Sequence, residues 1–425
     1  MKQTGYQKNR KILFTAAGVV LALAAAFWIY IRENPFGSPF PPGASSGEKI
    51  SSAVCSTGEP IGPSNPAPTG SSAVPALSSS AVLPLDGIFA DYGLPAQKKL
   101  RSMSLREKVG QVFVFRCPQT GAVKAAADYQ PGGYCLMASD FRGKTTAQVQ
   151  AVLRSYQEAG KIGMILCTDE EGGTVIRISK YQALRKTAFR SPQQVFRLSG
   201  LNGIYDDTVQ KARLLKKLGL NLNLAPVCDV SANPSDFIYD RAFGKDASKT
   251  ADFVRASVSA YNSQNLSCTL KHFPGYGNNR DTHTGIAYDK RDYSVFRKQD
   301  FVPFQAGIDA GAQCIMVSHN IVNCMDPSRP SSLSPKVHEI LRKELGFTGV
   351  IMTDDLSMGA ITDFTAGKSP SVAAFTAGND IVLSSDMVRD FNALYAAVRD
   401  GTVSEQRLDE SVLRILAWKY KMGII

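Results

Sequence analysis

Eight short apolar runs, most of them separated by segments with a helical pattern, restrict the fold of this chain more than any other feature. The runs lie at 111–115, 132–138, 163–168, 222–227, 267–272, 314–319, 349–354 and 380–385. Continuous apolar strands that alternate with helices predict a parallel sheet covered on both faces. Eight such strands close a (β/α)8 barrel of ordinary size, so we predict a TIM-type barrel of the α/β class. A doubly wound open sheet is the alternative, disfavoured because the Gly-rich dinucleotide fingerprint is absent from the sequence.

The N-terminal region has a different composition. Four basic residues precede an uncharged run from Ile12 to Ile31, which has the length that a helix needs to cross a bilayer. We therefore predict a transmembrane signal anchor at 1–33, with its basic end in the cytoplasm and the rest of the chain outside. Secretion after cleavage stays open, because residues 22–24 (Ala-Leu-Ala) have the spacing of a cleavage site. Residues 34–85 are rich in Pro, Ser and Gly and predict a disordered linker, which leaves 86–425 as a single catalytic domain.

Charge and cysteine content exclude some classes of function. The net charge is +11, but no Arg/Lys stripe is interleaved with aromatic residues, so we expect no nucleic-acid partner. A mildly basic surface fits a position near a polyanionic membrane or wall. The chain has eight cysteines and no CxxC pair, and five of the cysteines lie in apolar strand-like runs. We expect most of these thiols to be free and buried.

Polar residues follow several of the apolar runs at the point where each run ends. In a barrel, the carboxyl ends of all strands meet at one mouth, where active sites are built. The residues in question are Asp169, Glu170, Glu171, Asp229, Lys271, His272, Ser318, His319, Asp354 and Asp355. Charges away from the strand ends, such as Lys290, Arg291 and the lysine pair at 216–217, are predicted to be solvated.

Asp354 follows the seventh apolar run and enters a loop. A carboxylate there can attack an electrophilic carbon and form an ester-like intermediate. It can equally cap the following helix, and the spacing alone does not separate the two. Asp355 is interpreted as a supporting or capping residue.

Two of the four histidines lie in the stretch KHFPGYGNNRDTHTGI at 271–286, which also contains Asp281. In an extended segment, residues i and i+2 point the same way, so the carboxylate of Asp281 can hydrogen-bond the imidazole of His283. A carboxylate partner fixes the tautomer and favours the imidazolium, which creates a group that donates and then retrieves a proton near neutral pH. Pro274, Gly275 and Gly277 predict a loop that can swing over a pocket.

A metal site is an alternative for these residues, since His272, Asp281, His283 and Asp354 could supply two nitrogen and two oxygen ligands. The sequence has no HExxH or comparable fixed ligand spacing. We therefore expect neither a metal nor another cofactor.

Six segments in order, covering about residue 95 to the end, resemble glycoside hydrolase family 3 in its single-domain β-N-acetylhexosaminidase branch. The segments are TDEEGG, LNLNLAPVCDV, RAFG, KHFPGYGNNRDTH, MTDDLSM and AGNDIVL. Tyr276 stands where the fourth motif usually has histidine, a change that we expect to leave the Asp281–His283 pair intact.

The resemblance implies a role for each matching residue. Asp354 would be the nucleophile, and His283, paired with Asp281, the acid/base. The hydroxyls of the terminal sugar would be held by Asp169, Arg241, Lys271 and His272. The implied reaction is double displacement with retention at the anomeric carbon, in which histidine replaces one of the usual two carboxylates.

The resulting hypothesis is an extracytoplasmic, membrane-anchored exo-β-N-acetylglucosaminidase that acts, as a monomer, on terminal β-linked N-acetylhexosamine of peptidoglycan-derived or related glycans. Three alternatives stay open: a β-N-acetylglucosaminide phosphorylase, a β-glucosidase of the same family, and a catalytically silent sugar-binding protein at the membrane.

Overall fold

All eight predicted strands are present in a computed structural model, which describes residues 85–279, 281–366 and 369–425. The strands are parallel and nearly all of their residues are buried, as expected of a sheet covered on both faces. In chain order they are β1 (Phe113–Arg116), β2 (Gly133–Cys135), β3 (Ile165–Thr168), β4 (Leu222–Asn223), β5 (Ser267–Phe273), β6 (Cys314–Val317), β7 (Val350–Thr353) and β8 (Val382–Ser384).

The strands follow one another around a nearly closed barrel. Each strand from β1 to β6 pairs with the next along the chain, and β1 also pairs with β8, with Phe113 opposite Val382. A parallel bridge between Met352 and Ile381 joins β7 to β8 and completes the circuit. The TIM-type prediction is therefore confirmed at the level of a nearly closed, eight-stranded parallel barrel, and the open-sheet alternative was wrong.

Helices cover the outside of the barrel. Before β1 lie a 3-10 turn at Gly87–Tyr92 and helices at Gly93–Arg101 and Leu105–Gln111. The longer crossover helices are Thr146–Ala159, Pro192–Leu218, Ala247–Ser263 and Phe301–Asp309. The shorter ones are Ala122–Tyr129, Ala138–Phe141, Tyr293–Val295, Pro335–Glu339, Gly359–Thr365 and Ser371–Ala377, and Met387–Arg399 and Glu405–Met422 follow β8. Two π-helical turns, Phe296–Asp300 and Ile340–Glu344, extend their neighbours.

Local sequence explains where the longest of these helices begins and bends. The Ser191 side chain accepts a hydrogen bond from the Gln194 N–H, and Pro192 occupies the first turn, where its missing N–H costs nothing. Gly200 interrupts the helix with φ 59°, in the left-handed region that favours glycine. The helix ends at Gly219, again with positive φ.

The last helix packs against the end of the barrel at which β5 and β6 begin. Trp418 is fully buried, and its indole N–H lies 3.0 Å from the Ser267 hydroxyl and 2.9 Å from Oε1 of Gln313. Ser267 begins β5, and Gln313 directly precedes β6. The hydrogen bonds therefore connect the C-terminal helix to the start of two strands. A buried indole that lacked such a partner would destabilise the fold.

Predictions for the N-terminal region lie outside the described residues apart from Leu85, so the anchor at 1–33 and the linker at 34–85 stay predictions. Among the residues that the structure covers, no helix has both the length and the apolar character needed to cross a membrane. The cysteine prediction is confirmed for the described residues: seven thiols are free, and six of them are buried, Cys324 being the exposed one.

Candidate active site

A cavity of about 410 Å³ opens at the carboxyl ends of the barrel strands. All eight strands, or the residues directly after them, contribute side chains to its wall. The seven residues named from the sequence all line this one cavity: Asp169, Arg241, Lys271, His272, Asp281, His283 and Asp354. Its volume lies within the range typical of small-molecule sites.

Lys271 lies at the centre of one wall, at the end of β5. Its side chain is only 2% exposed, and its Nζ lies 2.8 Å from Oδ1 of Asp169 and 2.7 Å from Oε1 of Glu171. Both carboxylates come from the segment that follows β3. The Lys271 ammonium therefore joins two neighbouring parts of the barrel mouth, and it orients Asp169 toward the cavity.

Arg241 also binds the carboxylate of Glu171. Its Nε and Nη2 lie 3.0 and 2.8 Å from the two oxygens of Glu171, a bidentate arrangement. Nη2 also lies 3.2 Å from Nε2 of His272, whose Nδ1 is 2.8 Å from Oδ2 of Asp229. Because a guanidinium only donates, Nε2 of His272 must accept, and Nδ1 donates to Asp229. His272 is thus held in one orientation by contacts at both of its ring nitrogens.

The charges of this network are stabilised by one another. Burial works to raise the pKa of the Glu171 carboxyl, but Arg241 and Lys271 outweigh it and hold that pKa well below its usual value. Burial alone would lower the pKa of the Lys271 ammonium. The negative charges of Asp169 and Glu171 outweigh that effect and raise the pKa. Both groups therefore stay ionised near neutral pH.

Asp354 follows β7 directly and faces the cavity, partly exposed. Its Oδ1 accepts a hydrogen bond from the N–H of Asp355 at 2.8 Å. The helix after it begins only at Gly359, with Met358 at the capping position, so the helix-capping interpretation of Asp354 was wrong. Asp355 is the residue that stabilises the turn, since its carboxylate accepts hydrogen bonds from the Ser357 N–H and the Ser385 hydroxyl.

The surroundings of Asp354 keep its carboxylate ionised. Burial would raise its pKa, but the rings of His272 and His319, the Asp355 N–H and the Lys271 ammonium hold it below its ordinary value. His319 itself is buried, which lowers its pKa. The Nε2 of His319 donates to the carbonyl of Asp355 at 3.0 Å, so this ring holds the backbone beside Asp354 in place.

Asp281 and His283 form the predicted pair, with Oδ1 of Asp281 2.7 Å from Nδ1 of His283. The predicted cause was wrong, because the segment is not extended. Asp281 begins a 3-10 turn at Thr282–Thr284 and also accepts the N–H of His283 at 2.9 Å. Burial would raise the pKa of Asp281, yet these contacts with His283 hold it below its usual value. The His283 side chain is 63% exposed, so a second molecule can reach its Nε2.

Arg291 was predicted to be a solvated charge, and that prediction was wrong. Its side chain is 20% exposed and forms ion pairs with Asp289 at 2.8 Å and with Asp300 at 3.0 Å. The guanidinium lies under the glycines of the KHFPGYG segment: a Cβ on Gly277 would lie 2.4 Å from Arg291, and one on Gly275 would lie 2.4 Å from Asp300. Lys290 and the lysines at 216 and 217 are exposed, as predicted.

Four further residues of the site were not assigned from the sequence. Glu171 and Asp229 were noted only as strand-end acids, and the structure shows them as the partners of Lys271, Arg241 and His272. Arg177 lies 3.5 Å from Asp169 and Arg116 ends β1, and both line the cavity. The available signal was the polar residues at several strand ends, but it does not indicate which of these residues pair with one another.

Within the described ranges, no group of three or more His, Cys, Asp or Glu side chains is arranged to hold a metal ion. The four residues weighed as ligands are engaged in the hydrogen bonds and ion pairs given above.

Sequence comparison identifies a family that accounts for this site. Residues 104–418 match the sequence profile described as "Glycosyl hydrolase family 3 N terminal domain". A beta-hexosaminidase of Xanthomonas campestris pv. campestris (strain B100) is 36% identical over 263 residues, which cover 59% of this chain and 76% of that protein. Beta-hexosaminidase A of Pseudoalteromonas piscicida is 30% identical over 326 residues, 69% of this chain.

Structural comparison gives the same family. A glycoside hydrolase family 3 beta-N-acetylglucosaminidase from Paenibacillus sp. str. FPU-7 superposes with a TM-score of 0.71 at 28% identity, over 76% of this chain. The match spans 63% of that structure and 54% of the Pseudoalteromonas protein, so this chain covers less than two thirds of each.

Replacing Glu171 tests the buried network. The variant Glu171→Gln leaves two buried cations without their shared carboxylate, so we expect it to lower the free energy of unfolding by about 3 kcal/mol. Urea denaturation measures this, with Glu339→Gln as the matched control, since the pair of Glu339 with Lys343 is exposed. Equal stability of the Glu171 variant and the wild type would contradict the network's structural role.

Proposed function

We propose that this chain, which belongs to glycosyl hydrolase family 3, is a retaining exo-β-N-acetylglucosaminidase. The observation that carries the proposal is one cavity in which an ionised carboxylate, Asp354, faces an exposed carboxylate–histidine pair and a rigid set of charged hydrogen-bonding groups. A binding protein needs only the last of these three parts. The beta-hexosaminidase relatives support the choice of an acetamido sugar as substrate.

The buried wall of the cavity would hold the terminal sugar. Asp169, Arg241, Lys271 and His272 present charged or oriented polar atoms, and such groups form the stronger hydrogen bonds to neutral hydroxyls. Their mutual ion pairs fix them before substrate arrives, so little ordering remains to be done on binding. Lys271 and His272 of this wall are buried, and a sugar held against them would be the terminal residue of a chain.

In the first step the Asp354 carboxylate attacks the anomeric carbon, and the bond to the leaving oxygen breaks. His283 donates the proton from Nε2 to that oxygen, while its Nδ1–H stays hydrogen-bonded to Asp281. The products are a glycosyl ester on Asp354, a released alcohol and a neutral His283. An ionised Asp354 is the form that this attack requires.

In the second step a water molecule attacks the same carbon and releases the Asp354 carboxylate. His283 takes the proton of that water on Nε2 and returns to the imidazolium. Two inversions restore the original anomeric configuration. The exposure of His283 suits both tasks, because the alcohol must leave and the water must enter on its side of the cavity.

A phosphorylase is the second candidate, favoured by the histidine acid/base. A neutral or cationic imidazole does not repel phosphate as a carboxylate would, so phosphate could take the place of water in the second step. The two candidates share every residue named above and differ only in the acceptor.

Initial rates on p-nitrophenyl N-acetyl-β-glucosaminide, with and without phosphate and beside the corresponding β-glucoside, separate these candidates. We expect turnover of the acetamido sugar that phosphate does not change, and a loss of at least about 1,000-fold in kcat for Asp354→Ala. Asp355→Asn is the adjacent control and should lose far less. Phosphate stimulation with a sugar 1-phosphate product would favour the phosphorylase. Faster turnover of the glucoside would favour a β-glucosidase. No turnover, with sugar binding retained in both wild type and Asp354→Ala, would favour the binding protein.

We also propose that the apolar run at 12–31 holds the enzyme at the cell membrane with the barrel outside, where glycans of the cell wall would be its substrate. The run's length and the basic residues before it support this arrangement.

Fractionation tests the location. The chain should sediment with membranes in high salt, and protease added to spheroplasts should remove the barrel. Recovery of a shortened chain in the medium would favour cleavage and secretion instead, and recovery in the cytosol would contradict both.

A further inference from the structure

The acid/base pair lies on a surface turn, and its side chains are the most exposed of the seven predicted site residues. Asp281 and His283 have side-chain exposures of 40% and 63%, whereas Lys271 is 2% exposed. A group on such a turn needs another contact to hold it within hydrogen-bonding distance of the leaving oxygen, because a misplacement of about 1 Å can cost about 100-fold in rate.

Thr282, between the two members of the pair, provides that contact. Its side chain is fully buried, in contrast to its two neighbours. Its Oγ1 lies 2.7 Å from the hydroxyl oxygen of Tyr276, which is itself 2% exposed. The hydrogen bond thus attaches the turn, at its central residue, to a buried part of the barrel mouth.

Tyr276 is in turn held firmly from several sides. Its backbone N–H donates to Oδ1 of Asp229 at 2.8 Å. Its ring meets the ring of His272 edge-on at 5.1 Å and that of Phe237 at 5.0 Å. Burial, reinforced by the charge of Asp354, raises the pKa of the phenol, so its hydroxyl keeps its proton. Asp229 therefore positions both the sugar-binding His272 and the tyrosine that reaches the acid/base turn.

The turn makes a second close contact, with Gly359 at the start of a helix. A Cβ on Gly359 would lie 2.9 Å from the carbonyl oxygen of His283. The turn thus lies directly against the start of the helix that follows the Asp354 loop.

From this geometry we infer that Tyr276 is a positioning residue for the acid/base, and that it acts through its hydrogen bond to Thr282. The inference rests on the proposed function, because it assigns His283 the proton transfer. It adds a connection between the two halves of the site: the chain of contacts runs from Asp229 through Tyr276 and Thr282 to His283.

Leaving groups of different acidity isolate this role. A dinitrophenyl N-acetyl-β-glucosaminide needs no proton to leave, whereas the p-methoxyphenyl compound depends on the acid. Since kcat/KM reports the first step, Tyr276→Phe should lower it about 10-fold or more for the p-methoxyphenyl substrate and leave it nearly unchanged for the dinitrophenyl substrate. The phenylalanine ring of this variant keeps the contact with His272, so we expect its KM for the dinitrophenyl compound to equal that of the wild type.

Variants of Thr282 test the hydrogen bond itself in the full-length chain. Thr282→Val removes the hydroxyl at nearly constant shape and should reproduce the effect of Tyr276→Phe, while Thr282→Ser keeps the hydroxyl and should restore most of the rate. The double variant Tyr276→Phe/Thr282→Val should lose no more than either single one, since both remove the same bond. Tyr288→Phe, which alters an exposed tyrosine, is the control.

The outcomes separate the inference from the proposed function. Equal losses on both substrates, or multiplied losses in the double variant, would overturn the inference while leaving the enzyme established. A wild type that hydrolyses neither substrate would overturn the proposed function, and the inference with it.

Discussion

The site depends on the ion pairs that Lys271 and Arg241 form with the shared carboxylate of Glu171. Lys271 is buried and Arg241 is largely buried, and removing such charges from water is costly unless a carboxylate pairs with them. Glu171 meets both, and in doing so it joins the segment after β3 to the end of β5 and to the loop that carries Arg241. The barrel brings these strand ends to one mouth, but it is this ion-pair network that fixes their side chains.

The two halves of the site differ in their exposure to solvent. The half that we propose to bind the sugar is largely buried, and its charged groups pair with one another, so the cost of removing them from water is met during folding. The half that we propose as the acid/base is exposed, as the proposed reaction requires, because an alcohol would leave and water would enter beside His283. Its order comes from a few contacts beneath the turn, among them the hydroxyl pair of Tyr276 and Thr282. Asp354 lines the same cavity, and the rings of His272 and His319, the Asp355 N–H and the Lys271 ammonium hold the pKa of its carboxyl below the usual value against the effect of burial.

Much of this arrangement follows from the sequence, because the period of apolar residues defines the strands, and a closed parallel barrel dictates where strand ends meet. The positions of Asp354, Lys271 and His272 follow from that rule alone. Arg291 shows the limit of such reasoning. Its partner Asp289 is close in sequence, but nothing in the local pattern indicates that Asp300 returns to the same place. The Asp281–His283 contact was expected from an extended segment and arises instead from a tight turn, so residue types were a better guide than local conformation.

Trapping the covalent intermediate tests the central claim most directly. A slow fluorinated N-acetylglucosaminyl donor with a good leaving group should form the ester faster than water releases it. After proteolysis, mass spectrometry should find the added sugar on the peptide that contains Asp354, at the Asp354 carboxylate. An adduct on Asp169 or Asp281, or turnover of the donor with no adduct, would contradict the assignment of Asp354 as the nucleophile.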